Sequence, residues 1–195
     1  VLGEKRFMHK KHQHAGHTSK GLFDPQRLFA LLGLKGEETI LDLGCGDGYL
    51  SLLIAQIEQK GRVYALDIYK EGVKLFKASL KKLTNALPVL ADAHKVPFKK
   101  ETIDIVLMVD VVHGFYVNEE LETIIKEIAF TLKPQGKIAI VDFPPNPEIP
   151  GPPLDIRLSP EKIRKIFSPF GFRQEIVVEL SPSQYVVILE KMRIN

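Results

Sequence analysis

The sequence predicts an α/β domain built on a mostly parallel sheet with helices on both faces. Three observations carry that prediction. Thr39-Ile-Leu-Asp-Leu-Gly-Cys-Gly-Asp-Gly-Tyr-Leu50 passes from a short apolar run, through glycines at 44, 46 and 48, straight into a helical pattern. That is a strand, a tight turn and a helix start, and glycines there let backbone approach a ligand closely. Strand-like and helix-like stretches then alternate along the chain. Ile103–Val109 is nearly all apolar, as expected of a central parallel strand covered on both sides.

Asp24 caps the first helix, with Pro25 at its first position, running to Leu34 with Leu28, Leu31 and Leu32 at helical spacing. Thr39–Leu43 is the first strand, and Tyr49–Glu58 a helix that stops near Gly61. Arg62–Asp67 is the second strand. Lys70–Leu83 is a helix with Val73, Phe76 and Leu80 on one face, and Leu87–Leu90 a short third strand. After the fourth strand, Ile103–Val109, a loop from Asp110 to Tyr116 leads on to a helix at Glu119–Leu132. Its Leu121, Ile124, Ile125 and Ile128 face inward. Gly136–Val141 is the fifth strand. Ser159 caps a helix to Phe167 with Pro160 at its first position. Phe172–Glu179 and Gln184–Glu190 are joined only by a few residues around Ser181-Pro182-Ser183, which argues for an antiparallel pair at the end of the sheet.

Composition fits one globular domain, with 195 residues of which 45% are hydrophobic. The net charge of +3 is mild, and much of it sits in the first forty residues. It permits an anionic partner without demanding one. No apolar run approaches the roughly twenty residues of a membrane span, and no long apolar segment comes after the first basic residues, which argues against a secretory leader. Cys45 is the single cysteine, which excludes an internal disulfide framework and a cysteine-rich zinc site. A cytoplasmic setting is the expectation. The division is an arm over residues 1–24 and a domain over residues 25–195.

The glycine run resembles motif I of the class I S-adenosylmethionine-dependent methyltransferases, most nearly their ubiquinone and menaquinone C-methyltransferase branch. The likeness covers roughly residues 25–190. It implies a Rossmann-like seven-stranded sheet of order 3-2-1-4-5-7-6 with strand 7 antiparallel. Leu132-Lys133-Pro134-Gln135-Gly136 resembles the family's LKPGG turn, with Gln135 in place of the first glycine. The implied activity is transfer of the methyl group of S-adenosylmethionine to a carbon or oxygen nucleophile of a small, cyclic or quinone-like acceptor, leaving S-adenosylhomocysteine. Alignment of donor and acceptor would supply much of the rate.

The candidate cofactor residues sit at successive strand ends. Asp67 closes the apolar run Val63–Leu66, and a carboxylate there can accept both ribose hydroxyls of a nucleoside; capping the next helix is the alternative. The resemblance places Asp42 near the methionine amino group, although a carboxylate there also orders a turn by accepting backbone N–H bonds. It places Gly44 and Gly46 against the methionine portion and ribose, with Cys45 packed beside the turn and Gly48 serving close packing at the helix start. It lays Ile68 against adenine. It gives Asp92 the exocyclic amine and the Ala93 N–H a ring nitrogen. His94 either closes over adenine or lies at the rim. Asp110 contacts the cofactor's charged end or caps the helical region after the loop. His113 touches the acceptor, acts as a base, or orients its loop. Tyr116 and Phe115 form an aromatic wall or belong to the core. The proline-rich run Pro144–Pro153 shapes one rim of the acceptor pocket or merely connects.

His9, His12, His14 and His17 lie among Lys10, Lys11 and Lys20 in the arm. Their spacing matches no zinc pattern, so no metal is expected. The resemblance makes the arm a lid carrying Phe7 and Phe23; a basic tail is the alternative. Two other function classes stay open. A nicotinamide-dependent oxidoreductase would want a third glycine where Tyr49 stands. A non-catalytic cofactor-binding or RNA-associated protein would use the basic arm, but no aromatic-and-basic signature accompanies it. The expected partner is a small molecule, not nucleic acid and not a membrane span. The oligomeric state is open, with a homodimer among the alternatives.

Overall fold

A computed structural model describes residues 18–193. The order of elements is α1 (Pro25–Leu32), β1 (Thr39–Leu43), α2 (Tyr49–Ile57), β2 (Arg62–Asp67), α3 (Lys70–Ser79), β3 (Ala86–Leu90), β4 (Ile103–Val109), α4 (Val112–Val117), α5 (Leu121–Thr131), β5 (Leu132–Asp142), α6 (Pro160–Phe167), β6 (Phe172–Ser181) and β7 (Gln184–Lys191). The seven strands form one sheet in the order β3-β2-β1-β4-β5-β7-β6. Pairs through β5 are parallel, and β7 runs antiparallel to both β5 and β6. The expected architecture and strand order are therefore those observed.

The central strands look uniformly apolar because side chains alternate between two helical layers. Val106 and Met108 of β4 join Leu41 and Leu43 of β1 on one face, under Ile124, Ile125 and Ile128 of α5 and Phe167 of α6. Ile105 and Leu107 join Ile40 on the other, under Leu28 and Leu32 of α1, Ile54 of α2 and Phe76 of α3. Parallel pairing brings the carboxyl ends of β1, β2, β4 and β5 to one edge of the sheet. The β6–β7 turn reaches that same edge, because Tyr185 pairs with Asp142, the last residue of β5.

Both predicted caps are present. The Asp24 carboxylate accepts the Gln26 N–H at 3.0 Å, and the Ser159 hydroxyl accepts the Lys162 N–H at 3.2 Å. Several bounds differ from expectation. α2 ends at Ile57 because the Asn85 amide takes the Ala55 and Glu58 carbonyls at 2.8 and 2.6 Å. α3 ends at Ser79, and a turn closed by Leu83 N–H on the Leu80 carbonyl replaces its last residues. β5 begins at Leu132, four residues before Gly136, because Ile103 pairs with Leu132 ahead of an irregularity that shifts the register. Gln135, at φ +64°, occupies the left-handed conformation that explains a glycine in the LKPGG pattern. The segment after β4, expected as a loop, contains the helix α4, whose six residues are too few to show periodicity.

Candidate active site

The glycine turn is fixed to the end of β2 from both sides. The Leu66 carbonyl accepts the Gly44 N–H at 2.8 Å and the Cys45 N–H at 3.1 Å. Asp67 Oδ2 accepts the Gly46 N–H at 2.8 Å, and its Oδ1 accepts the Tyr69 N–H at 2.8 Å. Asp67 is not itself the cap of α3, whose cap position is Tyr69, but it holds the Tyr69 N–H. It stabilises the entry to α3, and each oxygen keeps a further lone pair for another donor. A Cβ on Gly44 would lie 2.6 Å from the Val111 side chain, so this glycine lets the segment after β4 press on the turn. A Cβ on Gly48 would lie 2.0 Å from the Phe76 ring, consistent with close packing at the helix start.

Asp42 is buried, and its Oδ2 accepts the Ser51 hydroxyl at 2.5 Å. Burial pushes its carboxyl up to about 6, against the pull of Ser51 and with help from Asp67 and Asp47. It therefore ties β1 to the first turn of α2 through a side chain, where a bond to the turn's own N–H groups was the expected alternative. Burial, with the charges of Asp42 and Asp67, holds the Cys45 thiol far above its ordinary range, which makes it a packing group and a poor nucleophile.

Beyond Asp67 the surface is apolar and open. Ile68 is 50% exposed and Leu90, at the end of β3, is 54% exposed. Leu90 was not singled out from sequence, since a leucine ending a strand reads as core. Asp92 Oδ1 accepts the His94 N–H at 2.9 Å and lies 2.6 Å from its Nδ1. His94 Nε2 is 4.0 Å from Glu120. Asp92, Ala93 and His94 thus form one short turn near the exposed Leu90, with His94 half-buried between Asp92 and Glu120.

A second group of residues gathers where β4 and β5 end. Asp110 has φ +57° and its N–H donates to the Val141 carbonyl at 2.9 Å. It does not cap α4, whose cap position is Val111 with no side-chain bond. His113 lies in the first turn of α4 and is 2% exposed. Its N–H donates to Asp142 Oδ2 at 3.1 Å and its Nδ1 lies 2.8 Å from Oδ1, which also accepts the Phe143 N–H at 2.8 Å. Burial opposes protonation of this ring, but the hydrogen bond and charge of Asp142, with Asp110 behind it, raise its pKa above the ordinary histidine value. Burial and the Asp142 charge push Asp110 up to about 7. Tyr116 is half-buried on α4, with Lys162 Nζ 4.2 Å above its ring.

Sequence reasoning missed Asp142, Arg157 and Gln184. Asp142 carries the same signal as Asp67, a lone acidic residue closing an apolar strand. Arg157 and Gln184 carry no local signal. Arg157 is buried, and its guanidinium donates to the carbonyls of Pro152, Pro144 and Asn146 at 2.8, 3.3 and 3.0 Å. It pins the proline-rich segment against Phe143, 5.8 Å from the ring centroid. That segment, with the β6–β7 turn, borders an open cavity of about 620 Å³ whose lining includes Pro144, Ile149, Pro160, Pro182 and Tyr185. His9, His12, His14, His17 and Phe7 lie outside the described residues. Phe23 is buried in the core cluster that also holds Leu28, Val109 and Val141. No described helix is long and apolar enough to cross a membrane.

Comparison with known proteins agrees with this geometry. A family model described as a methyltransferase domain matches residues 41–140. An uncharacterized methyltransferase of Schizosaccharomyces pombe is 36% identical over 53% of this chain and 38% of its own length. Demethylmenaquinone methyltransferase of Lactobacillus johnsonii is 30% identical over 64% of this chain and 52% of its own. The chain thus spans about half or less of the curated relatives it matches. A solved SAM-dependent methyltransferase from Aquifex aeolicus superposes with TM-score 0.80 at 28% identity, covering 88% of this chain and 91% of that one. A type 11 methyltransferase structure from Sulfolobus solfataricus gives 0.73 at 22% identity over 89% and 95%, a likeness of fold.

Proposed function

The chain belongs to the methyltransferase domain family, and we propose that it methylates a small cyclic acceptor of the quinone or phenol type at carbon or oxygen. The observation that carries the cofactor side is Asp67. Its carboxylate stands at the end of β2, locked to the glycine turn through Gly46 and flanked by the exposed Ile68. A carboxylate beside an apolar ledge suits a ribose next to a purine. When bound, S-adenosylmethionine supplies an electrophilic methyl group on a sulfonium centre. Asp67 would hold the ribose hydroxyls, Ile68 and Leu90 would flank adenine, and Asp92 with Ala93 would read its polar edge. Gly44, Cys45 and Gly46 would shape the floor beneath the methionine portion, with Asp42 and Asp110 as its acidic neighbours.

His113 fits a positioning role. Its buried pair with Asp142 fixes α4 to the end of β5, which sets where Tyr116 stands. A cyclic carbon or oxygen acceptor is supported by the likeness to demethylmenaquinone methyltransferase, whose name states that substrate.

Calorimetry tests the cofactor side. S-adenosylhomocysteine should bind with one-to-one stoichiometry while NAD gives no heat, and preferential NAD binding would reject the assignment. Asp67→Ala should weaken S-adenosylhomocysteine by about 1–3 kcal/mol, the scale for hydrogen bonds to a charged group. Unchanged affinity in the folded variant would leave Asp67 with only its backbone role. Methyl incorporation from labelled S-adenosylmethionine into a short-chain demethylmenaquinone tests the acceptor.

A further inference from the structure

Two neighbouring polar groups beside the end of β5 are buried with unpaired atoms. Gln184 opens β7 and is fully buried, yet neither its amide oxygen nor its amide nitrogen has a hydrogen-bond partner. Oδ1 of Asp110 is also buried and unpartnered. The two side chains are neighbours: the Gln184 amide is close enough to favour the ionised form of Asp110, but it does not reach hydrogen-bond geometry. Asp110 is held there in a left-handed backbone conformation, φ +57°, that a non-glycine residue adopts only where its surroundings impose it. Native proteins rarely leave three buried polar atoms unpaired at one place, and such groups point to a ligand or a bound water.

Gln184 also borders the 620 Å³ cavity between the proline-rich segment and the β6–β7 turn. The walls of that cavity are mainly apolar, with Pro144, Ile149, Pro160, Val177, Pro182 and Tyr185 among them. Among the described residues its charged lining consists of Glu148 and Glu179, both exposed, with no lysine or arginine beside them. Arg157, which lies behind this wall, spends its guanidinium on three backbone carbonyls.

We infer that this cavity is the acceptor subsite and that Gln184, with Asp110, recognises a neutral hydroxyl group carried on an apolar ring. A hydroxyl is both donor and acceptor, so it can pair with the Gln184 amide, which borders the cavity, while Asp110 lies behind that amide. The Gln184 amide makes no hydrogen bond of full geometry, so pairing with a ligand hydroxyl breaks none. A carboxylate or phosphate on the acceptor would face Glu148 and Glu179 with no cation in the lining to offset them, so an anionic acceptor is disfavoured. The inference rests on the methyl-transfer reading above and narrows its acceptor class.

The test uses the full chain saturated with S-adenosylhomocysteine and three probes of one shape: 1-naphthol, naphthalene and 1-naphthoate. The wild type should bind 1-naphthol at least about tenfold more tightly than naphthalene, the scale of a hydrogen-bonding group matched to buried partners. It should bind 1-naphthoate more weakly still. Gln184→Met keeps the length of the side chain without its amide, and should abolish the preference for 1-naphthol while S-adenosylhomocysteine binds as before. Glu179→Lys alters only the exposed rim, so it remains informative if Gln184→Met fails to fold; it should narrow the gap between 1-naphthol and 1-naphthoate several-fold. Equal binding of 1-naphthol and naphthalene by the wild type, an unchanged preference in Gln184→Met, or an unchanged gap in Glu179→Lys would overturn the inference. Loss of S-adenosylhomocysteine binding by the wild type would instead overturn the methyl-transfer reading from which it starts.

Discussion

Replacing His113 with alanine should lower the stability of the domain by about 3–5 kcal/mol, the cost of breaking a buried charge pair and leaving one member unpaired. The unpaired member would be Asp142, which is fully buried. It would retain the backbone N–H groups of residue 113 and Phe143 but lose the imidazole that balances its charge. The size of the effect should depend on pH in a defined direction. His113 has a raised pKa in the folded chain, because the Asp142 bond and charge outweigh the burial that opposes protonation. The folded state therefore holds the proton more tightly than the unfolded chain. That contribution is fully present below the unfolded value, roughly 6.5, and is lost as pH rises through the higher folded value. Denaturant unfolding of wild type and His113→Ala should show the widest gap near pH 6 and a narrower one near pH 9. A gap that widens with pH would mean that the buried pair is not held by a protonated ring. Asp142→Asn should reproduce the loss of pH dependence while removing less stability, because an amide still accepts from the Phe143 N–H.

Gly48→Ala should cost about 3 kcal/mol through strain in the backbone and the core together. Gly48 precedes α2 at φ +75°, in the left-handed region that an L side chain resists. The added methyl would also point into the ring of Phe76, 2.0 Å from its nearest carbon. Phe76 is fully buried in the core cluster, so any shift of its ring disturbs the packing around it. The same glycine turn carries Gly46, whose N–H meets Asp67, so the variant should weaken S-adenosylhomocysteine binding as well as unfold at lower denaturant. Thermal unfolding with and without S-adenosylhomocysteine checks both parts. A midpoint within a degree of wild type would show that Phe76 moves aside at little cost.

Most of the scaffold was legible because its signals are local. The strand Thr39–Leu43, the strand Arg62–Asp67 and the strand Ile103–Val109 have the expected bounds, since each is an apolar run closed by an acidic residue or a turn. The caps at Asp24 and Ser159 were readable for the same reason. Helix ends were less legible. The amide of Asn85, nearly thirty residues further along the chain, decides where α2 stops. α4 was invisible because six residues are too few to show periodicity, and the contact of His113 that anchors it, Asp142, lies 29 positions away.

The candidate site divides in the same way. By itself the sequence determined the fold class, the glycine turn, and the acidic residues that end β1, β2 and the segment after β3. Each of these depends on residues within one strand and its following turn. Only the tertiary structure decided what surrounds the ends of β4 and β5. It placed Asp142 beneath His113, set Arg157 behind the proline-rich wall, and brought Gln184 from the closing hairpin to the side of Asp110, across 74 positions of chain. Residues at strand ends are legible because hydrophobic periodicity locates the strands, whereas the strand order followed from the family resemblance. The ends of β4 and β5 are covered where an antiparallel hairpin folds back onto a parallel sheet, and no periodicity records which of its polar side chains will be buried there without a partner.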